Sequence, residues 1–219
     1  RTALMSAVAE RISFALQFGI DVRQRAYAAL SGGSTPAPAY SALAALPMDW
    51  GRVTFGLVDE RFVPNTDAAS NEAMILRTLG PAFDAGAKLL PMFSPNVTPE
   101  QAALYADAEY AKLRFDVAVV GMGDDGHTAS LFPDSDRLDE ALDLSSNRTV
   151  IALRAPSAAG ATERLTLTRF ALDRARAVVL LLTGAEKRER LETALSTHDA
   201  PVAALFHRPA CQPEIWWAP

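Results

Sequence analysis

Short apolar runs that alternate with helical segments constrain the fold of this chain most strongly. The main runs lie at 25–30, 53–58, 115–120 and 177–182. Strands buried on both faces of a parallel sheet look like this, and each parallel neighbour needs a crossover helix. The 219 residues contain no internal repeat and no low-complexity linker. We therefore predict a single α/β domain, residues 1–219, with a mainly parallel sheet flanked by helices.

The segments between these runs carry weaker patterns. The remaining elements are expected as helices at 2–18, 72–79 and 99–113, and as short strands at 89–92, 149–153, 162–167 and 214–217, the last a closing edge strand. The segment 162–167 could equally begin a helix. We interpret the acidic stretch 134–143 as a solvated loop, because its spacing fits no calcium loop.

Charge and cysteine content exclude several classes of function. The net charge of -5 disfavours a nucleic-acid partner, although a few local cations could still bind an anionic small molecule. Cys211 is the only cysteine, so neither an internal disulfide nor a cysteine-rich zinc site can form. The three histidines fit no HExxH pattern, and we expect no metal and no cofactor.

The N-terminal segment bears on localisation. No apolar run in the sequence approaches the length of a membrane span, and Glu10 and Arg11 interrupt the stretch where a signal peptide would need a continuous apolar core. We therefore expect a cytoplasmic protein without a membrane partner, as a monomer or a weak homodimer.

The strongest candidate chemistry follows the run at 115–120, in the stretch GMGDDGHTASLFP at 121–133. Its glycines allow tight backbone turns, and they bring Asp125 and His127 to the carboxyl end of a strand. Open α/β sheets bind their ligands at that edge. The sequence therefore predicts a functional turn here.

Two other interpretations of this turn remain open. Its glycines match the dinucleotide pattern GxGxxG, yet a pyrophosphate would meet the adjacent carboxylates of Asp124 and Asp125 instead of uncharged donors. Alternatively, the two aspartates cap a helix whose first turn contains His127.

A second candidate is the turn SGGSTP at 31–36. Gly33, Ser34 and Thr35 precede a proline where a helix can begin, so free N–H groups and hydroxyls gather at the positive end of a helix dipole. Such a turn suits a phosphate, although an ordinary capped turn would look the same. It lacks the lysine of a P-loop, which disfavours a nucleoside triphosphate.

Two further turns carry charged residues at strand ends. The triplet DER at 59–61 follows the run at 53–58, although a solvated loop would explain these charges equally well. Lys187 lies in the first turn of a predicted helix, where the dipole disfavours a cation. Because a bound anion would offset this effect, we interpret Lys187 as a phosphate ligand.

Together these motifs resemble the 6-phosphogluconolactonase family, in order and over nearly the whole chain. The matching segments are SGGSTP at 31–36, DER at 59–61, SN at 70–71, GMGDDGHTASLFP at 121–133, RLTLT at 164–168 and TGAEK at 183–187. The resemblance implies a modified Rossmann-like fold of the isomerase and CoA-transferase type. It also implies hydrolysis of 6-phospho-D-glucono-1,5-lactone to 6-phosphogluconate, in the oxidative pentose phosphate pathway.

The resemblance implies roles for nine residues. The phosphate would be held by Gly33, Ser34, Thr35, Arg164 and Lys187, the sugar and the lactone end by Asp59 and Arg61, and proton transfer would involve His127 and Asp125. As general base, His127 would take a proton from the attacking water and return it to the ring oxygen. Arg61 would favour negative charge on the carbonyl oxygen. Asp125 either orients the imidazole or binds a substrate hydroxyl.

Three alternatives accompany this hypothesis. The glucosamine-6-phosphate isomerases (deaminases) share the fold but continue the DGH turn into Asn-Glu-Pro, whereas this chain has Phe132 before its proline and lacks the carboxylate that isomerisation would need. A non-catalytic sugar-phosphate sensor would need the phosphate ligands but not His127 with Asp125. A serine hydrolase would need a GxSxG elbow, which is absent around Ser130.

Overall fold

The computed structural model describes residues 1–207 and 210–219. Its strands are β1 (Ala26–Leu30), β2 (Val53–Leu57), β3 (Asp59–Arg61), β4 (Lys88–Leu89), β5 (Val117–Val120), β6 (Val150–Arg154), β7 (Glu163–Leu167), β8 (Val178–Thr183) and β9 (Glu214–Ala218). Its α-helices are α1 (Thr2–Arg23), α2 (Ala37–Ala44), α3 (Asn71–Thr78), α4 (Gly80–Asp84), α5 (Pro99–Tyr110), α6 (Leu138–Leu142), α7 (Arg169–Asp173), α8 (Ala185–Thr197) and α9 (Pro201–Ala204).

Six strands form a parallel sheet in the order β4-β2-β1-β5-β8-β9. The four apolar runs become its four inner strands, and β9 is the edge strand that the sequence predicts. From β1 the chain continues to β2 on one side, while β5 pairs with the other side of β1. Ligands of open α/β sheets bind outside the carboxyl ends of the strands at such a reversal. The predicted α/β class with a mainly parallel sheet is confirmed.

A second, smaller sheet was not predicted. It is antiparallel, in the order β3-β7-β6, and its strand β3 consists of the DER triplet at 59–61. The solvated-loop interpretation of this triplet is therefore wrong, and the segment 162–167 is a strand. Val58 alone separates β2 from β3. Its N–H donates to the Leu30 carbonyl at 3.0 Å, and its carbonyl accepts from the Leu167 N–H at 2.8 Å, so this buried residue joins the two sheets.

Helix α1 packs against β1, β5 and β9 through a buried face that includes Val8, Ile12 and Leu16. It extends to Arg23, beyond the predicted end, and stops where Gln24 adopts a left-handed conformation. By length and composition α1 could cross a membrane, contrary to our reading of the sequence. A core helix of a soluble fold meets the same criterion, and the buried face of α1 covers the sheet.

The stretch 134–143 is only partly the loop expected from its acidic composition. It contains the short helix α6, in which Ala141 packs into a small apolar cluster with Leu131 and Ile151. The short helices α7 and α9 were also not predicted. Each spans five residues or fewer, too short for a hydrophobic period to be visible in the sequence.

Candidate active site

A cavity of about 670 Å³ opens at the carboxyl ends of β1, β5 and β8, where the two sheets meet. All nine site residues predicted from the sequence line it: Gly33, Ser34, Thr35, Asp59, Arg61, Asp125, His127, Arg164 and Lys187. They come from five separate segments of the chain. The fold thus gathers the predicted set around one space, while the role of each residue remains a prediction.

The turn after β5 presents the imidazole of His127 to this cavity. Asp125 Oδ1 lies 2.6 Å from His127 Nδ1 and also accepts the His127 backbone N–H at 3.0 Å. The imidazole is partly exposed, with 27% of its side chain accessible. With Nδ1 donating to the carboxylate, the lone pair of Nε2 is the one available to accept a proton.

The helix-capping interpretation of this turn is wrong. After Asp124 and Asp125 the chain forms turns and a short bridge between Thr128 and Leu131, and none of the residues 124–137 is helical. The dinucleotide interpretation fails for the same reason, because a GxGxxG turn presents its glycines at the start of a helix.

The imidazole occupies a narrow space between backbone and aromatic ring. A Cβ on Gly123 would lie 2.1 Å from two ring atoms of His127, so any other residue there would displace the imidazole. The Phe132 ring stacks on the imidazole, with centroids 3.8 Å apart and planes inclined by 21°. The sequence singled out Phe132 only for the carboxylate that it lacks.

Asp59 is buried, lines the cavity and is held in place by its neighbours. Its Oδ2 accepts the Ser130 hydroxyl at 2.6 Å, and its backbone carbonyl accepts the Asn71 side-chain amide at 2.8 Å. Ser130 therefore contacts a carboxylate and not the imidazole, which argues against a serine nucleophile. Asn71 also lines the cavity, and the sequence offered it only as part of the SN segment at 70–71.

Glu60, the middle residue of the triplet, points away from the cavity and caps α3. Its carboxylate accepts hydrogen bonds from the backbone N–H groups of Asn71 and Glu72 at 2.7 and 2.8 Å, from the Ser70 hydroxyl at 2.9 Å and from the Arg61 N–H at 2.8 Å. Complete burial raises the pKa of Glu60, and these four donors act against that shift. The carboxylate thereby holds β3 to the start of α3.

Arg61 and Arg164 face each other directly across the antiparallel pair of β3 and β7. Arg164 donates from Nε and Nη2 to the Ala161 and Ala159 carbonyls at 2.7 and 2.9 Å. Arg61 donates to the Ala69 carbonyl, and its buried Nε has no partner among the described residues. Burial also lowers the pKa of the Arg164 guanidinium. Two like charges opposite each other destabilise a sheet, and an anion bound beside this pair would offset their repulsion.

The third cation, Lys187, lies in the first turn of α8 as the sequence predicts. Its Nζ donates to the Met122 carbonyl at 2.9 Å and pairs with Asp124 at 2.5 Å. The hydrogen bond from Lys187 lowers the pKa of the exposed Asp124 carboxyl.

The glycine-rich turn that leads into α2 also lines the cavity. Gly33 in this turn adopts φ +100°, a conformation that other residues resist.

Among the residues that the structure describes, no group of three His, Cys, Asp or Glu side chains is arranged to hold a metal ion. The expectation that the protein needs no metal and no cofactor remains a prediction.

Comparisons with known proteins agree with the fold and identify the family of this chain. The family model for glucosamine-6-phosphate isomerases/6-phosphogluconolactonase matches residues 1–217. The chain is 39% identical to a 6-phosphogluconolactonase of Caulobacter vibrioides, over 100% of this chain and 94% of that protein. It is 40% identical to one of Rhizobium meliloti, over 100% and 95%. The crystal structure of a 6-phosphogluconolactonase from Shewanella baltica is similar with a TM-score of 0.92 and 32% identity, covering 99% of this chain and 94% of that one.

Proposed function

Because this chain belongs to the family of glucosamine-6-phosphate isomerases and 6-phosphogluconolactonases, we propose that it hydrolyses 6-phospho-D-glucono-1,5-lactone to 6-phosphogluconate, with His127 as general base. This reaction is a step of the oxidative pentose phosphate pathway. The observation that carries the proposal is an imidazole oriented by Asp125 in a cavity that also contains three cationic side chains.

Proton transfer is the task of His127 in this proposal. Nε2 takes a proton from the water that attacks the lactone carbonyl, and the imidazolium then returns it to the ring oxygen as the ester bond breaks. Asp125, 2.6 Å from Nδ1, keeps the tautomer with a free Nε2 and stabilises the imidazolium. This contact favours the orienting role for Asp125 over binding a substrate hydroxyl.

The cations and the glycine-rich turn bind the substrate. Lys187, Arg164 and the turn at 31–36 supply charge, hydroxyls and N–H groups for a phosphate dianion. A lactone carbonyl gains negative charge as water adds, and Arg61 stabilises that charge. Asp59, held by Ser130, orients a sugar hydroxyl.

The isomerase alternative is disfavoured at one position. An aldose-ketose isomerisation needs a carboxylate where this chain has Phe132, and the ring of that residue stacks on His127. The sensor alternative gives no reason for the contact between His127 and Asp125. A cytoplasmic location, without membrane or nucleic-acid partners and as a monomer or weak homodimer, belongs to the same proposal. The net charge of -5 disfavours a nucleic-acid partner.

Hydrolysis of freshly generated lactone tests the proposal. We expect the wild type to exceed the spontaneous rate clearly, and His127→Ala to lose most of that excess. Equal rates for the two would remove the catalytic claim. Ammonia release from glucosamine 6-phosphate at comparable efficiency would instead favour the isomerase, and ligand binding without turnover the sensor.

The phosphate subsite is tested separately. Lys187→Ala should weaken binding of 6-phosphogluconate about tenfold or more, since a direct charged contact to phosphate is lost. Arg188→Ala is the matched control, because the neighbouring Arg188 stacks on Trp217 at 4.9 Å and does not line the cavity. Calorimetric titration of both variants gives the comparison. Equal weakening by the two would indicate that only the general charge of α8 matters.

A further inference from the structure

The side chain of Phe132 lies against both the base and a phosphate ligand of the proposed reaction. Its ring stacks on His127 at 3.8 Å between centroids. The guanidinium carbon of Arg164 lies 5.8 Å from the centroid of the same ring. Stacked aromatic contacts and cation–π contacts at these distances are both favourable.

The Phe132 ring is packed into the fold. Phe132 is 7% exposed and packs with the small apolar cluster that contains Leu131 and Ile151. Its backbone N–H donates to Ser135 Oγ at 3.2 Å, and its carbonyl accepts the Ser135 N–H at 3.1 Å. The ring is therefore a fixed surface against which the imidazole rests.

Asp125 by itself is a weaker restraint on the imidazole. Its carboxylate is 40% exposed, and a single hydrogen bond at Nδ1 leaves the ring free to swing about that contact. The stack with Phe132 removes this freedom, because it fixes the plane of the imidazole as well as one of its atoms.

We propose that Phe132 is a positioning residue: it holds the imidazole plane so that Nε2 faces the lactone carbonyl, and it sets the spacing between His127 and the phosphate-binding guanidinium of Arg164. This inference rests on the proposed lactonase function. A misplacement of about 1 Å at a reacting group can lower a rate by about 100-fold, so a positioning role belongs mainly in kcat.

Steady-state kinetics of variants test this role. Phe132→Leu keeps an apolar side chain but loses the planar surface, and we expect kcat to fall about tenfold or more while KM changes less than about threefold. Phe132→Tyr keeps the stack and should retain kcat within about threefold. Ile151→Val, in the same cluster but not lining the cavity, is the control for loosened packing and should keep the wild-type kcat. If Phe132→Leu does not fold, Phe132→Met replaces it.

A double-mutant cycle with Asp125→Asn separates positioning from packing. If both residues act through the orientation of the imidazole, Phe132→Leu should lower kcat much less in the Asp125→Asn background than in the wild type. Full additivity, a wild-type kcat for Phe132→Leu, or an equal loss for Ile151→Val would each overturn the inference. A wild type no faster than the spontaneous reaction would overturn the proposed function itself, and is recognised before any variant is measured.

Discussion

Gly123 has no room for a side chain, because the imidazole of His127 lies directly against it. A Cβ there would lie 2.1 Å from His127 Cε1 and Nδ1 and 2.7 Å from Asp125 Oδ1. We expect Gly123→Ala to displace the imidazole and to lower kcat for the lactone about 100-fold, with a smaller effect on folding. Kinetics together with thermal unfolding of the same preparation measure both effects.

Gly80→Ala is the control for this substitution. An added Cβ at Gly80 meets nothing within 4 Å, and Gly80 does not line the cavity, so activity should be unchanged. A Gly123→Ala variant as active as Gly80→Ala would mean that the position of the imidazole is not important for turnover.

Single residues were predictable where their chemistry is visible in the sequence. Glycine-rich turns, charged triplets and a cation at a helix start pointed to residues that line the cavity. The stack of Phe132 on His127 was not predictable, because an aromatic residue five positions after a histidine carries no distinctive pattern outside a helix or strand. Phe132 meets His127 because the bridge between Thr128 and Leu131 turns the chain back on itself.

Glu60 joins strand β3 to helix α3. In Glu60→Gln the amide nitrogen cannot accept hydrogen bonds, so some of the four donors around it would be left buried without a partner. We expect the free energy of unfolding to fall by about 2–4 kcal/mol. Urea unfolding at pH 7 measures it, with exposed Glu10→Gln as the control. A loss no larger than that of the control would show that the capping contacts are not stabilising.

The ion pair between Glu214 on β9 and Arg11 on α1 makes a pH-dependent contribution. The hydrogen bond from Arg11 lowers the pKa of Glu214 below its ordinary value of 4.5. A lowered pKa stabilises the fold above 4.5, and this contribution disappears as the pH falls through the folded-state value. Because both side chains are partly exposed, Glu214→Gln should lower stability at pH 7 by only about 0.5–1 kcal/mol.

Urea unfolding at pH 7 and at about pH 3 tests this sign. The difference between wild type and Glu214→Gln should shrink at the acidic pH, whereas exposed Glu189→Gln should differ little from wild type at either. A difference that grows on acidification would contradict the assigned shift.

The elements themselves were predictable in proportion to their length. The four buried runs and the helices at 2–18, 72–79 and 99–113 have enough residues for a hydrophobic period, and all became strands or helices there. The small sheet was missed because β3 has three residues, all charged, and its pairing with β7 joins segments about 100 positions apart. No local pattern reports such a contact.

Ligand binding should stabilise the fold, because residues from both sheets line the cavity. At 100 times its Kd, 6-phosphogluconate should raise the free energy of unfolding by about 2.7 kcal/mol, or Tm by about 5–10 °C for a chain of this size. Scanning calorimetry measures this shift. Gluconate without the phosphate should give a much smaller shift at the same concentration, and an equal one would contradict the phosphate subsite.

Val58, the residue that links the two sheets, also makes the site sensitive to chain length. Side chains alternate along a strand, so Asp59 and Arg61 face the cavity while Glu60 faces α3. Deleting or inserting one residue here would reverse which side chains of the triplet face the cavity. Glu60 would then face an anionic substrate, and Asp59 and Arg61 would face the start of α3. We therefore expect a one-residue insertion next to Val58 to be tolerated less well than one in a surface loop.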